Sequence, residues 1–369
     1  MLQKIFSTAI LCLSFSVFSY GQSASVENNS QTPITIESED TEEPAPSLTI
    51  SGSADAYFRY DFNKQLSNNK TSFTNSQNAF SFGMASVKFE HSSSKVNMVA
   101  DLGFGTRAAE FSYNESGILA AVKQLYISYT PVTGVKLTAG TWATHVGYEL
   151  VDPQLNRNYS MAYMFTNGPF THTGFKAEYS KGKSGFMLGL SNPTDYRLIP
   201  SGQINRKYAI AQYSYAASDA VKLYLNYVGG KNIDTSIVNQ FDVVATATVS
   251  KSFSIGFNGT LNRSKAWDGN AKENLEGQNW WGLAGYFNYD PVSSFGLTLR
   301  SEYFNDDKAV KGFGTSIFAN TLSANVKLGS LTFIPELRYE SAGQVIFSDA
   351  SGAGTKSALS FVVGAVYKF

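Results

Sequence analysis

Residues 142–174, "WATHVGYELVDPQLNRNYSMAYMFTNGPFTHTG", hold the side chains in this chain best suited to chemistry. His145, Glu149 and His172 are metal-ligand types, but their spacing matches none of the zinc patterns built on short-spaced pairs. Ser160 with His145 or His172 and Asp152 supplies the residue types of a nucleophilic triad. No nucleophile elbow surrounds that serine, so no catalytic residue is assigned. "GFGTRA", with two glycines, lacks the third glycine and following helix of a dinucleotide fingerprint. No metal or cofactor is expected. What remains is a cluster of charges, His145, Glu149, Asp152, Arg157 and His172, whose use depends on what holds them.

The elements around the block are strands. In "LTISGSADAYFRYDF" the even positions from Leu48 to Phe62 are apolar, aromatic or small, and the odd positions are nearly all polar. Such a period of two makes a strand with one greasy and one wet face. The pattern recurs along the chain: Val221, Leu223, Leu225 and Tyr227 alternate with Lys222 and Asn226. Phe295, Leu297 and Leu299 alternate with Thr298, Arg300 and Glu302. About 16 such strands are expected, between 14 and 18. Short turns ("TPVTG", "SKGKSG", "DPVSS", "KLGS") alternate with long connections such as "GTRAAEFSYNESG" and "NDDKAVKGFGTS".

The composition fits an all-β protein: 27 Phe, 21 Tyr and 31 Gly, with only 16% charged residues. A soluble sandwich also alternates, but soluble strands average about 5–6 residues. Longer strands of tilted residues cross a bilayer, where the sheet must close because lipid cannot satisfy a free edge. The fold class expected is therefore an all-β transmembrane antiparallel up-and-down barrel. Its short turns face the periplasm, its long loops face outward, and its polar phase faces a wet lumen. Asp55, Arg59, Lys88, Glu90, Asp101, Lys222, Asp242, Arg300, Glu302, Glu336, Arg338 and Glu340 all fall on that phase. Mixed charges suit a solvated wall and not a dry core.

Three segments follow. Residues 1–21 read as a signal peptide, with Lys4 as the basic region, an apolar stretch over 5–18, and Ser19 and Gly21 before the cut. The chain's one cysteine, Cys12, lies inside it. Residues 22–47 are acidic and read as a disordered periplasmic extension; Lys4 is the one base before Leu48, against six acids. Residues 48–369 form the barrel and carry 28 bases against 23 acids.

The last strand, "ALSFVVGAVYKF", must pair with the first to remove both sheet edges. With Phe361, Val363, Tyr367 and Phe369 on one face, it resembles the C-terminal signal strand of bacterial outer-membrane proteins. That resemblance implies recognition by the barrel-assembly machinery. "GYELVD", "NRNYSMAYMF" and "GPFTHTG" in the 142–174 block resemble the OmpL-like β-barrel porins, especially their Bacteroidetes members. The resemblance covers nearly all of the chain from Leu48 and implies a porin in the outer membrane of a Gram-negative bacterium. Its partners would be outer-membrane lipid and small hydrophilic solutes or ions, with no nucleic acid; a homo-oligomer is compatible.

The 142–174 block breaks the strand period and is too long for a turn. It is expected to fold inward as a constriction, or else to form an external loop held by Tyr148, Tyr159 and Tyr163. Asp306 and Asp307 are expected in a solvated outer loop. The alternatives to a pore are a barrel enzyme of lipase or protease type and a structural or adhesion barrel. A wide charged interior favours the pore, since 16 strands leave an aqueous channel where eight are filled by side chains.

Overall fold

The computed structural model describes residues 46–203 and 205–369. The leader and the acidic segment predicted over 1–47 lie outside the described residues, apart from Pro46 and Ser47. The barrel begins at Ser47, one residue before the predicted boundary.

Sixteen antiparallel strands close into one barrel in sequence order. They are β1 (Ser47–Asp61), β2 (Ala79–Ser92), β3 (Val96–Phe104), β4 (Val122–Val132), β5 (Val135–Ala143), β6 (Thr171–Lys181), β7 (Ser184–Ser191) and β8 (Tyr208–Ser218). The second half comprises β9 (Val221–Lys231), β10 (Ile237–Thr248), β11 (Phe253–Lys265), β12 (Gln278–Val292), β13 (Phe295–Asn305), β14 (Ser316–Leu328), β15 (Leu331–Ala342) and β16 (Ser357–Lys368). The strands run from eight residues in β7 to fifteen in β1 and β12. At one end they are joined by turns of two to four residues, at the other by long connections. By the usual orientation of such barrels the tight end is periplasmic.

The closing seam explains why the alternation runs to the end of the chain. β16 pairs with β1 from Ser53 opposite Lys368 to Asp61 opposite Ser360. Phe369 adds two further backbone bonds, its N–H donating to Gly52 O at 3.0 Å and its carbonyl accepting from Gly52 N at 3.1 Å. The barrel sheet is thereby closed, with neither of its end strands left as a free edge.

The barrel is inside out relative to a soluble domain. Phe80 is 88% exposed and Leu188 69%, whereas Arg300 is fully buried and Glu336 is 1% exposed. Hydrocarbon is the solvent that makes such a distribution stable, because the outward apolar band meets lipid while backbone groups are satisfied between strands. Nine of the twelve wall charges, Asp55, Arg59, Asp101, Asp242, Arg300, Glu302, Glu336, Arg338 and Glu340, are buried, and Lys88, Glu90 and Lys222 are half-buried. Lys88 and Glu90 pair with each other at 2.9 Å, and Lys222 stands level with Ala216 and Thr246.

Candidate functional site

Residues 144–170, between β5 and β6, fold into the barrel. The segment is rich in aromatic and small apolar residues that water would not tolerate exposed. Tyr159, Met161, Ala162 and Tyr163 are buried. It contains one short helix, α1 (Tyr163–Asn167), and a single 3-10 turn (Pro153–Leu155), so most of its backbone groups need partners from elsewhere. The wall supplies them.

Wall carboxylates take its N–H groups and wall guanidiniums take its carbonyls. Glu336 accepts from Tyr159 N at 3.0 Å, Ser160 N at 3.4 Å and the Ser160 hydroxyl. Glu302 accepts from Tyr163 N at 2.8 Å. Arg300 donates to Ser160 O at 2.7 Å, and Arg338 to Met161 O at 2.9 Å. These wall groups form a two-by-two array. Arg300 and Arg338 both stand level with Thr321 on β14 between them, and Glu302 and Glu340 both stand level with Ala319. Ion pairs of 3.5, 3.2 and 3.1 Å run from Arg300 through Glu302 and Arg338 to Glu340. Like charges are thus separated by unlike ones, which is how four buried charges coexist. Tyr163 completes the array, its hydroxyl donating to Glu340 at 2.7 Å.

The segment's own charges act as struts. Glu149 accepts from Arg300 at 2.6 Å and from Ala162 N at 2.6 Å, joining the two limbs of the segment to the wall. Asp152 pairs with Lys123 of β4 at 2.5 Å, and Lys123 also holds Asp101 of β3 at 3.2 Å. Arg157 forks onto Asp290 of β12 at 2.8 and 3.0 Å and donates to Thr298 at 2.6 Å. Asp290 lies two residues from the end of β12, so Arg157 reaches the tight-turn end of the lumen.

Contacts with the opposite wall show that the segment crosses the lumen. Gly147 N donates to Asp242 of β10 at 3.0 Å, and His145 Nε2 donates to Tyr227 O of β9 at 3.2 Å. Tyr159 donates its hydroxyl to Asp55 of β1. Asp55, Asp242, Arg300 and Glu336 all stand near the middle of their strands, so this is no external loop. Two inward glycines make room for its rings: a Cβ at Gly364 of β16 would fall on the Tyr159 ring, and one at Gly256 of β11 on the Tyr148 ring.

Of the five block residues singled out from sequence, Glu149, Asp152 and Arg157 each hold an opposite charge on the barrel wall. His145 and His172 meet ring to ring at 5.0 Å, with His172, a residue of β6, at 2.9 Å from the Thr144 hydroxyl. Burial pushes the His145 imidazole down to about 4, so it is neutral near pH 7 and brings no charge to the path. Ser160 is spent on Glu336. Asp306 departs from expectation: it is fully buried, because its carboxylate accepts from Lys311 N at 3.0 Å and Phe313 N at 3.0 Å and so shapes the β13–β14 loop.

Sequence reasoning missed Arg107, within the "GFGTRA" stretch. It is fully buried, lies 5.0 Å from the Phe73 ring and 4.8 Å from the Tyr159 ring, and donates to Val151 O and Tyr159 O at 3.2 and 3.3 Å. It pins the inward segment to the aromatic group of Phe73, Phe111, Phe165 and Phe170, drawn from three different connections. The legible signal was phenylalanine inside long loops, where solvated loops carry little of it. Lys123 was missed because it is the second residue of a strand whose alternation is weak.

Residues 47–369 match the family described as "Putative beta-barrel porin-2, OmpL-like". No curated protein matches the chain. Among solved structures it is similar to OmpT, an outer membrane protein of Vibrio cholerae. The TM-score is 0.59 at 11% identity, over 90% of this chain and 100% of that one. It is also similar to the outer membrane channel DcaP of Acinetobacter baumannii, at TM-score 0.57 and 10% identity, over 88% of this chain and 97% of that one. At such identities the likeness is one of fold, and the family match adds the lineage. The strand count, the inverted polarity and the matched span agree: this chain is an outer-membrane barrel of porin type and belongs to the OmpL-like family of β-barrel porins.

Proposed function

We propose that the protein is a channel through which small hydrophilic solutes and ions diffuse passively across the outer membrane, and that the 142–174 block narrows it. One observation carries the reading: a segment crosses the lumen at mid-height and is tied to both walls by ion pairs and backbone hydrogen bonds. A charge held there, inside a low-dielectric wall, acts on a passing ion more strongly than several charges in the loops. The wall charges from Asp55 to Glu340 line the same path. Export through a cleaved leader and recognition of the C-terminal strand by the assembly machinery belong to the same proposal.

Nothing in the site favours an enzyme. Ser160 donates to Glu336, while the two histidines bond Tyr227 O and Thr144. The test is conductance in planar bilayers with swelling of liposomes in small sugars. Wild-type protein should conduct, and Glu149→Gln with Asp152→Asn should shift the reversal potential towards anions, because Arg300 and Lys123 lose their counter-charges. A correctly folded barrel that neither conducts nor admits sugars refutes the channel. Unchanged reversal potential in the double variant removes the block from the path.

A further inference from the structure

A polar cavity of about 210 Å³ lies between the long connections and the inward segment. Its floor is Asn167, Gly168 and Pro169 of that segment, and its wall includes Tyr208 of β8, Gln240 of β10 and Asn262 of β11. Tyr113, Asn114, Asp195, Asn232 and Lys311 reach it from four different connections. Asp195 fixes this frame: its carboxylate accepts from Phe170 N at 2.7 Å, Thr171 N at 2.8 Å and the Tyr113 hydroxyl at 3.0 Å. Both of its oxygens are thus spent on the protein. Lys311 is the other charged side chain of the lining. It lies 5.7 Å from the Trp280 ring and in the field of Asp195, so the cavity carries no net charge.

The polar groups left over are amides and phenols. Asn262 Nδ2 donates to Gln240 Oε1 at 3.1 Å, which leaves the NH2 group of Gln240 unspent. A Cβ on Gly168 would stand 3.6 Å from that nitrogen, so the glycine keeps the amide uncovered. Asn114 and Asn167 spend their NH2 groups on Asp195 O at 3.2 Å and Tyr163 O at 2.9 Å, and keep their carbonyls. Donors and acceptors side by side are what a hydroxyl needs, since it does both. Tyr113, Tyr196 and Tyr208 add aromatic faces against which the C–H side of a sugar ring can lie. The volume falls below the roughly 300–1,000 Å³ of pockets for drug-sized ligands, so it fits a single ring. A carboxylate or phosphate would find one ammonium, already in the field of Asp195, and a cation would find no free carboxylate. We propose that this cavity binds a neutral monosaccharide on the loop side of the constriction. Binding is weak, because a site on a diffusion path must release what it holds. That the sugar passes onward rests on the channel reading; its binding does not.

Saturation-transfer NMR on the full-length protein, in a detergent without a sugar headgroup, tests this. The probes are D-glucose, D-galactose, D-mannose and D-xylose, against D-glucuronate and D-glucosamine. At least one neutral sugar should bind saturably at millimolar concentration, equally at about 0.1 and 1 M KCl, since no charge is there to screen. Gln240→Leu with Asn262→Leu should weaken it roughly tenfold in protein that stays heat-modifiable on gels. If that pair fails to fold, Asn232→Ala with Tyr196→Ala, both in connections, should weaken it by roughly threefold or more. Absence of saturable binding by all four neutral sugars, or binding unchanged in the variants, overturns the proposal. Tighter binding of D-glucuronate, abolished by Lys311→Gln and weakened by salt, overturns it too and makes the cavity an anion site. A barrel that binds sugar yet never conducts refutes the channel reading and leaves the site standing.

Discussion

Arg300→Leu should release the inward segment without unfolding the barrel. The guanidinium donates to Glu149 at 2.6 Å, to Ser160 O at 2.7 Å, and to the hydroxyls of Ser160 and Thr321 at 3.2 and 3.1 Å. It is fully buried, so leucine leaves Glu149 and Glu302 short of a counter-charge in a site water reaches poorly. Removing one partner of a buried pair costs about 3–5 kcal/mol. At about 1.4 kcal/mol per factor of ten, the ratio of docked to released segment falls by roughly a hundred- to several-thousand-fold. The backbone ladder at this position, Arg300 opposite Thr321 and Tyr286, does not depend on the side chain, so the loss falls on the segment. Single-channel recording should show higher conductance and a noisier open level, with heat-modifiability on gels unchanged. Arg300→Lys keeps the charge but cannot fork between Glu149 and Ser160 O, and should fall between the two. A Leu variant that is heat-modifiable yet has wild-type conductance and noise refutes the idea that this anchor holds the constriction in place.

Leu337→Arg, on the lipid-facing phase of β15, should cost about 2–4 kcal/mol of barrel stability while Leu337→Phe costs little, read from urea midpoints in lipid vesicles. Deleting Phe369 should lower the amount of barrel in the outer membrane of cells, yet protein refolded in detergent should still conduct, since nine further residue pairs close the seam. Stability should also fall in mild acid through His145, which faces His172 and Lys176. Its folded value is depressed to about 4 by burial, so the unfolded chain binds a proton below about pH 6.5 that the native protein refuses. Stability is therefore full above about pH 6.5 and declines towards pH 4, by about 3 kcal/mol in all at about 1.4 kcal/mol per pH unit. His145→Gln should flatten that part of the urea-midpoint profile, and an unchanged slope would show that the imidazole is not buried neutral.

The strands, their phase and the closing seam were legible because a half-wetted strand repeats every two residues, and each strand carries that record by itself. β1 and β13 show it plainly: Arg59 and Arg300 could be placed inside from alternation alone. The long connections were legible as connections and no more. Nothing local says that residues 144–170 turn inward, since Tyr159 finds Asp55 104 positions away and Ser160 finds Glu336 176 positions away. The glycine sockets at Gly364 and Gly256 become meaningful only when the opposite ring is known. His145 and His172 read as separate residues 27 positions apart, and the closing of the β5–β6 pair set their rings together. The sequence by itself determined a closed, lipid-facing barrel, because periodicity and hydrophobicity act within a strand. Tertiary structure alone decided how the lumen is filled, because the inward segment lacks regular backbone pairing and takes its partners from side chains that only barrel closure brings within reach.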